Sequence, residues 1–295
     1  MNNSVIVAGS GLSGNFFKDL NNPRGFYIDD RDQSIFIADR NNHRIVKWKV
    51  NALEGELVAG GRGSGNDIDQ LKHPTDVILD KNKNFLIICD SSNARVVRWS
   101  LYNDNNREVM ISNVNCYGLA MDNNGDLYVS DKEKHEVKRW KQGEINGIIV
   151  AGGNGRGNKV NQLNSPYNIF VDNDYSVYIA DFNNNRGMKW IKDATEGIVI
   201  AGGGDQTNKP YPLFRPWGVI VDHLGNIYVS DSEYNRIVRW LPDAIADCIV
   251  VGGNGFGSGT HQMTVPTDLS FDRQGNLYVA DTNNHRLQRF DVNIK

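Results

Sequence analysis

The chain repeats itself. An aspartate closes a short apolar run at Asp39, Asp90, Asp131, Asp181, Asp231 and Asp281, at spacings of 51, 41, 50, 50 and 50 residues. The same order of features surrounds each of them. A Gly-rich loop leads to a proline and an apolar run, then a polar turn. A second apolar run ends in the aspartate, and after a short polar loop a basic-aromatic run follows. Residues 252–290 carry the pattern most clearly. A period of this size marks copies of one supersecondary unit that must bury their faces against one another. The usual prior of more than one domain for 295 residues therefore gives way to a single repeat domain over 1–295.

Each unit holds four apolar runs, in the fourth copy Tyr167–Asp172, Val177–Ala180, Met188–Trp190 and Gly197–Ala201. Short runs rich in Val, Ile, Tyr and Phe, bounded by Gly, Asn and Asp, read as strands. No window sustains helical periodicity. The first turn, Asp122-Asn123-Asn124-Gly125-Asp126 in copy three, supplies the residues that tolerate the positive φ of a hairpin. Each unit thus reads as a four-stranded antiparallel meander. Runs such as Val219-Ile220-Val221 are apolar on both faces. Radial stacking buries both faces of every sheet, which makes the expected fold an all-β, six-bladed β-propeller. Ser4–Ala8 matches the fourth strand of a unit, and the chain ends on a third strand over 286–292. The N-terminal strand is therefore expected to complete the last blade and remove two open sheet edges.

The pattern Pro-x-Gly/Asp-Val, then Asp-x-x-Gly-Asn-Leu-Tyr-Val-Ala-Asp, then Asn-x-Arg resembles the NHL repeat. Asn41-Asn42-His43-Arg44 and Asn283-Asn284-His285-Arg286 match it best. The resemblance covers all six copies. It implies a binding platform and, less often, an enzyme. Such domains often end ubiquitin ligases and can bind single-stranded RNA; no ligase module accompanies this one.

Net charge is −3, which gives no global pull toward nucleic acid or a membrane. No segment approaches a membrane span, and the N-terminus lacks a signal-peptide core. Nothing reads as a linker or tail, which is compatible with one domain of a longer protein. Asn2-Asn3-Ser4 is a glycosylation sequon of the kind that arises by chance. Cys89, Cys116 and Cys248 are odd in number and fall in different copies, so no disulfide framework is expected and a reducing, cytoplasmic setting is slightly favoured. Nothing in the sequence calls for an oligomer.

Several motifs read as structural. Asp39/Arg44, Asp90/Arg95, Asp181/Arg186, Asp231/Arg236 and Asp281/Arg286 place opposite charges at the ends of one loop, where a charge-assisted bond would pin it. Copy three has Glu136 instead. Lys47, Arg98, Arg139, Lys189, Arg239 and Arg289 each precede an aromatic. One per blade makes a ring of packed aromatics with cations reaching water, not a nucleic-acid patch. Gly153-Asn154-Gly155-Arg156-Gly157 lacks the following helix that phosphate binding needs. His43, His135 and His285 share one column but sit in separate blades, which disfavours zinc. The acidic turns lack the length and closing Glu of a calcium loop.

Function enters where the copies differ, in the two residues after each proline. These begin the innermost strand and should ring one mouth of the central channel. The first column reads Arg24, Thr75, Tyr117, Tyr167, Trp217, Thr267; the second reads Gly25, Asp76, Gly118, Asn168, Gly218, Asp268. Tyr117, Tyr167 and Trp217 are expected to form an aromatic arc, with Arg24 and Asp76 placing charge across from it. The plain alternative is that these residues plug the channel. The functional reading is a non-catalytic platform for a protein or peptide, with Arg24, Asp76, Tyr117, Tyr167, Asn168, Trp217 and Asp268 as ligand-binding residues and no cofactor. A rival reading is an enzyme. Lactonase-like hydrolases of this architecture hold calcium in the channel, and Asp76, Asn168 and Asp268 form a pseudo-threefold oxygen set for it. Amidating lyases also place a metal there, but no histidine falls at the mouth. Single-stranded RNA ranks lower, because Arg62, Arg156 and Lys159 are offset by Asp67, Asp69, Asp205 and Glu233. Residues 113–116 replace the Gly-rich loop and proline of copy three, so a notch is expected there, exposing Tyr117, Lys132 and Glu133.

Overall fold

Each hairpin is set by its first aspartate. Asp122 Oδ1 accepts from the backbone N–H of Asn124 at 2.8 Å and of Asp126 at 3.0 Å, and Asp172, Asp222 and Asp272 repeat the arrangement. These Asx turns let the two inner strands of a blade fold back on each other. The computed structural model describes residues 4–103, 106–203, 212–241 and 248–291; the sequon asparagine and Asp205 lie outside them.

The strands form six antiparallel sheets of four, five of them in sequence order and the sixth completed by the N-terminal strand. Blade one runs from Pro23 to Gly60, blade two from Asp76 to Ser112 and blade three from Cys116 to Gly152. Blade four covers Pro166–Gly202, blade five Pro216–Gly252 and blade six Pro266–Phe290. Ser4–Ala8 is the fourth strand of blade six, pairing Ser4 with Phe290 and Val5 with Arg289. The fold and its closure are as the repeats predict.

Six buried clusters mix residues of neighbouring blades, so each sheet is dry on both faces. The aromatic column contributes Trp48, Trp99, Trp190, Trp240 and Phe290, all buried. Its cations turn outward over second-strand rings, as with Lys189 Nζ 4.8 Å from the Tyr178 centroid.

The aspartate–arginine pairs do more than close their own loop. Arg44 Nε donates to Asp39 Oδ2 at 2.7 Å, while its Nη atoms donate to the carbonyls of Asn15, Phe16 and Asp19. The other oxygen of Asp39 accepts from the backbone N–H of Asn21 at 2.7 Å. One buried pair thus ties the Gly-rich loop to the blade it enters. Arg95, Arg186 and Arg286 do the same for theirs. Leu20, Leu71, Leu163, Leu213 and Met263 anchor these loops, each fully buried.

Blade three lacks both loop and pin, and here the structure corrects the cysteine reading. Cys89 on the second strand of blade two is disulfide-bonded to Cys116, with Cα atoms 5.5 Å apart; Cys248 is free. Cys116 occupies the proline column, where one blade's first residue faces the preceding blade's second strand. Separate repeats are therefore neighbours, and the cysteine count gives no support to a reducing compartment.

Candidate functional site at the channel mouth

The second column is explained by blade-to-blade contact. A Cβ on Gly25 would lie 2.2 Å from Asp76 Oδ1, and one on Gly118 would lie 2.8 Å from Asn168 Cα. A Cβ on Gly218 would meet the Thr267 carbonyl oxygen at 2.6 Å. Glycine on odd blades admits the innermost strand of the next blade. The even-blade carboxylates then reach the following odd blade. Asp76 Oδ2 accepts from Leu119 N–H at 2.7 Å, and Asp268 Oδ2 from Phe26 N–H at 2.9 Å. Asn168 departs from this and donates its amide to Asp268 Oδ1 at 2.5 Å.

Asp76, Asn168 and Asp268 are brought together at the waist of the channel. Burial and the neighbouring Asp268 carboxylate raise Asp76 well above the usual carboxylate range, and burial pushes Asp268 up to about 7. Their oxygens are already engaged in hydrogen bonds. Asp76 spends both oxygens on backbone N–H groups, of Val77 and Leu119. Asp268 spends its two on Phe26, Leu269 and Asn168, and Asn168 turns its nitrogen, not its oxygen, toward Asp268. Asn168 and Asp268 are joined directly, and Asp76 is held by backbone donors. Among the described residues no group of three His, Cys, Asp or Glu side chains is arranged to hold a metal.

The first column forms the aromatic arc. Tyr117 stacks on Tyr167 with centroids 4.0 Å apart, and Tyr167 meets Trp217 at 4.7 Å. Phe182, absent from the sequence reading, joins it at 4.2 Å from Tyr167 and 5.4 Å from Trp217. Its signal was there to find. The residue after each repeat aspartate forms a third column at the mouth: Arg40, Ser91, Lys132, Phe182, Ser232 and Thr282.

Two expectations are corrected. Arg24 does not face the arc from across the mouth. Its guanidinium carbon lies 4.2 Å over the Trp217 ring, reaching past the small Thr267 of blade six. Asp76 lies beneath, held by the backbone of blade three, and no ion pair joins it to Arg24 among the described residues. Nor does the notch expose Tyr117. Tyr167 covers one side of its ring and Lys132 Nζ sits 5.4 Å over it, leaving it half-buried; Glu133 alone of the three is exposed.

The histidine column also has a structural partner. His43, His135 and His285 accept through Nδ1 from the backbone N–H of His73, Ser165 and Asn22 in the next blade's loop, at 3.0–3.1 Å. Asn185 and Asn235 fill the same place toward Arg215 and Val265.

The NHL-repeat model matches residues 20–48 and 263–290, which span the first three strands of blade one and of blade six. The chain is a six-bladed β-propeller, and two of its blades match the NHL repeat. No curated protein matches it in sequence. Among solved structures it is similar to an auxiliary nutrient binding protein from Bacteroides thetaiotaomicron, with TM-score 0.75, 14% identity, and coverage of 99% of this chain and 76% of that one. It is similar to a gluconolactonase from Xanthomonas campestris, with TM-score 0.70, 11% identity, and coverage of 99% and 90%. It is also similar to virginiamycin B lyase from Staphylococcus aureus, with TM-score 0.61, 12% identity and 98% of each chain covered. At these identities the likeness shows the fold alone.

Proposed function

We propose that the protein is a non-catalytic binding platform whose channel mouth takes a protein or peptide. One observation carries this reading: Tyr117, Tyr167, Phe182 and Trp217 form a contiguous half-buried aromatic cluster with the Arg24 guanidinium laid on it. Aromatic and arginine side chains in a partly desolvated centre are the usual anchors of an interface. The closed ring holds them in place before a partner arrives, which lowers the entropic cost of binding. Nothing in the reading calls for a second copy or a membrane.

Trp217→Ala tests it. Affinity for a captured partner should fall by roughly 2 kcal/mol or more while the melting temperature holds. Asp76→Ala serves as the contrast, lowering stability through the lost bond to blade three. Normal partner binding by both variants would move the site elsewhere.

A calcium-dependent hydrolase is the second reading, favoured by two buried carboxylates at the waist and by the gluconolactonase among proteins of similar fold. It ranks behind because those oxygens already accept backbone donors. Metal analysis of the purified protein with and without chelator decides it; a stoichiometric, chelator-sensitive ion would favour the enzyme. RNA binding ranks third, since Arg62 is paired with Asp69 at 2.8 Å and Arg215 with Glu233 at 3.3 Å on the loop face.

A further inference from the structure

Arg24 is the exception in its column. The other blades place Thr75, Tyr117, Tyr167, Trp217 and Thr267 there; blade one alone places a charge. Its stacking on Trp217 offsets part of the cost of burying that charge, yet donors are left over. Nε and Nη1 of Arg24 are buried and meet no acceptor, and neither does Nε of nearby Arg40. The groups acting electrostatically on Arg24 are Tyr117, Arg40 and Tyr167: two phenols and a like charge, with no carboxylate. Burial, with Arg40 as a smaller cause, holds the guanidinium below its ordinary value. A largely buried cation with idle donors is costly for folding alone. An anion would satisfy these donors.

We propose that this point receives a carboxylate of an acidic peptide segment, carried beside an apolar or aromatic residue. The inference rests on the reading of the mouth as a binding site and names what enters it. The carboxylate would accept from the idle donors of Arg24 and Arg40, and its neighbour would lie against Tyr117 and Trp217. One deep pair of guanidiniums suits one inserted side chain. A nucleic-acid backbone repeats its charge at every nucleotide and calls for a track of cations; here Arg62 is paired with Asp69 and Arg215 with Glu233.

The test uses fluorescein-labelled peptide pools, random except for a fixed central Glu, Gln or phosphoserine, together with labelled oligouridylate. Anisotropy is read on the wild type, Arg24→Met, Arg24→Lys and Trp217→Ala, with melting temperatures alongside. The Glu pool should bind the wild type about tenfold more tightly than the Gln pool. Arg24→Met should abolish that preference and melt at or above the wild type, because it removes an unpaired buried charge. Equal binding of Glu and Gln pools, lost in Trp217→Ala, would overturn the inference and leave the binding reading standing. Binding of no pool, or binding blind to Trp217, would overturn both. Preference for phosphoserine over Glu, or Arg24-dependent binding of oligouridylate without a Glu preference, would overturn the acidic peptide. If Arg24→Met fails to fold, Arg24→Lys decides: a reduced Glu preference supports the proposal, and none at all overturns it.

Discussion

His285 Nδ1 accepts a hydrogen bond from the backbone N–H of Asn22 at 3.1 Å, across the seam where the last blade meets the first. A protonated imidazole has no lone pair for that role. Burial holds His285, and likewise His43, below the ordinary histidine range. The folded value lies under the unfolded one, so this stabilisation is present above the unfolded value and lost as pH falls through the folded one. Through these histidines the melting temperature should fall by a few degrees between pH 7.5 and pH 5.5. Replacing His43 and His285 by Asn, which Asn185 and Asn235 show to fit the column, should flatten that drop. An unchanged drop in the double variant would remove the histidines from the account.

The waist acts in the opposite sense. Asp268 is raised to about 7 and Asp76 is raised with it. A raised acid stabilises fully below its unfolded value and loses that contribution as pH rises through the folded one. Stability should decline from about pH 5 to pH 8 through this pair, and Asp268→Asn should lessen the slope whatever its absolute cost. Denaturant midpoints at several pH values read it directly; parallel curves for wild type and variant would rule the pair out.

The Cys89–Cys116 bond spans 27 residues of sequence where a pinned loop is missing. Removing it should cost about 3 kcal/mol. Cys89→Ala/Cys116→Ala and the wild type should differ in oxidising buffer and approach each other under dithiothreitol, with Cys248→Ser as the neutral control. Identical oxidised melting curves would show that the bridge is dispensable.

Deleting residues 1–9 should expose the edge over Arg286–Phe290, lower the melting temperature markedly and promote aggregation. A truncated protein that melts normally and stays monodisperse would refute the closure as a source of stability.

The fold was legible because period, turn residues and apolar runs all named the same unit. The pinning pairs were legible as well, though the reach of Arg44 to three loop carbonyls was not, since a backbone acceptor leaves no trace in residue identity. The disulfide was misread for a related reason: spacing along the chain hides that adjacent blades bring the second strand of one against the first of the next. At the mouth, the column of variable residues identified Tyr117, Tyr167 and Trp217 correctly as neighbours. It could not foresee that Arg24 would cross a blade to reach Trp217, because that depends on the small size of Thr267 between them. Phe182 belongs to a different column, the residue after each repeat aspartate, which no proline marks.

The alternation of glycine with Asp or Asn around the waist has a consequence for how such a ring can evolve. Gly25 makes room for Asp76, Gly118 for Asn168, and Gly218 for Asp268. Adding or losing one blade would set two like blades side by side, either two glycines across an unfilled gap or two acids in one space. The molecule behaves as three two-blade modules, and duplication or deletion in pairs is the route that preserves its centre.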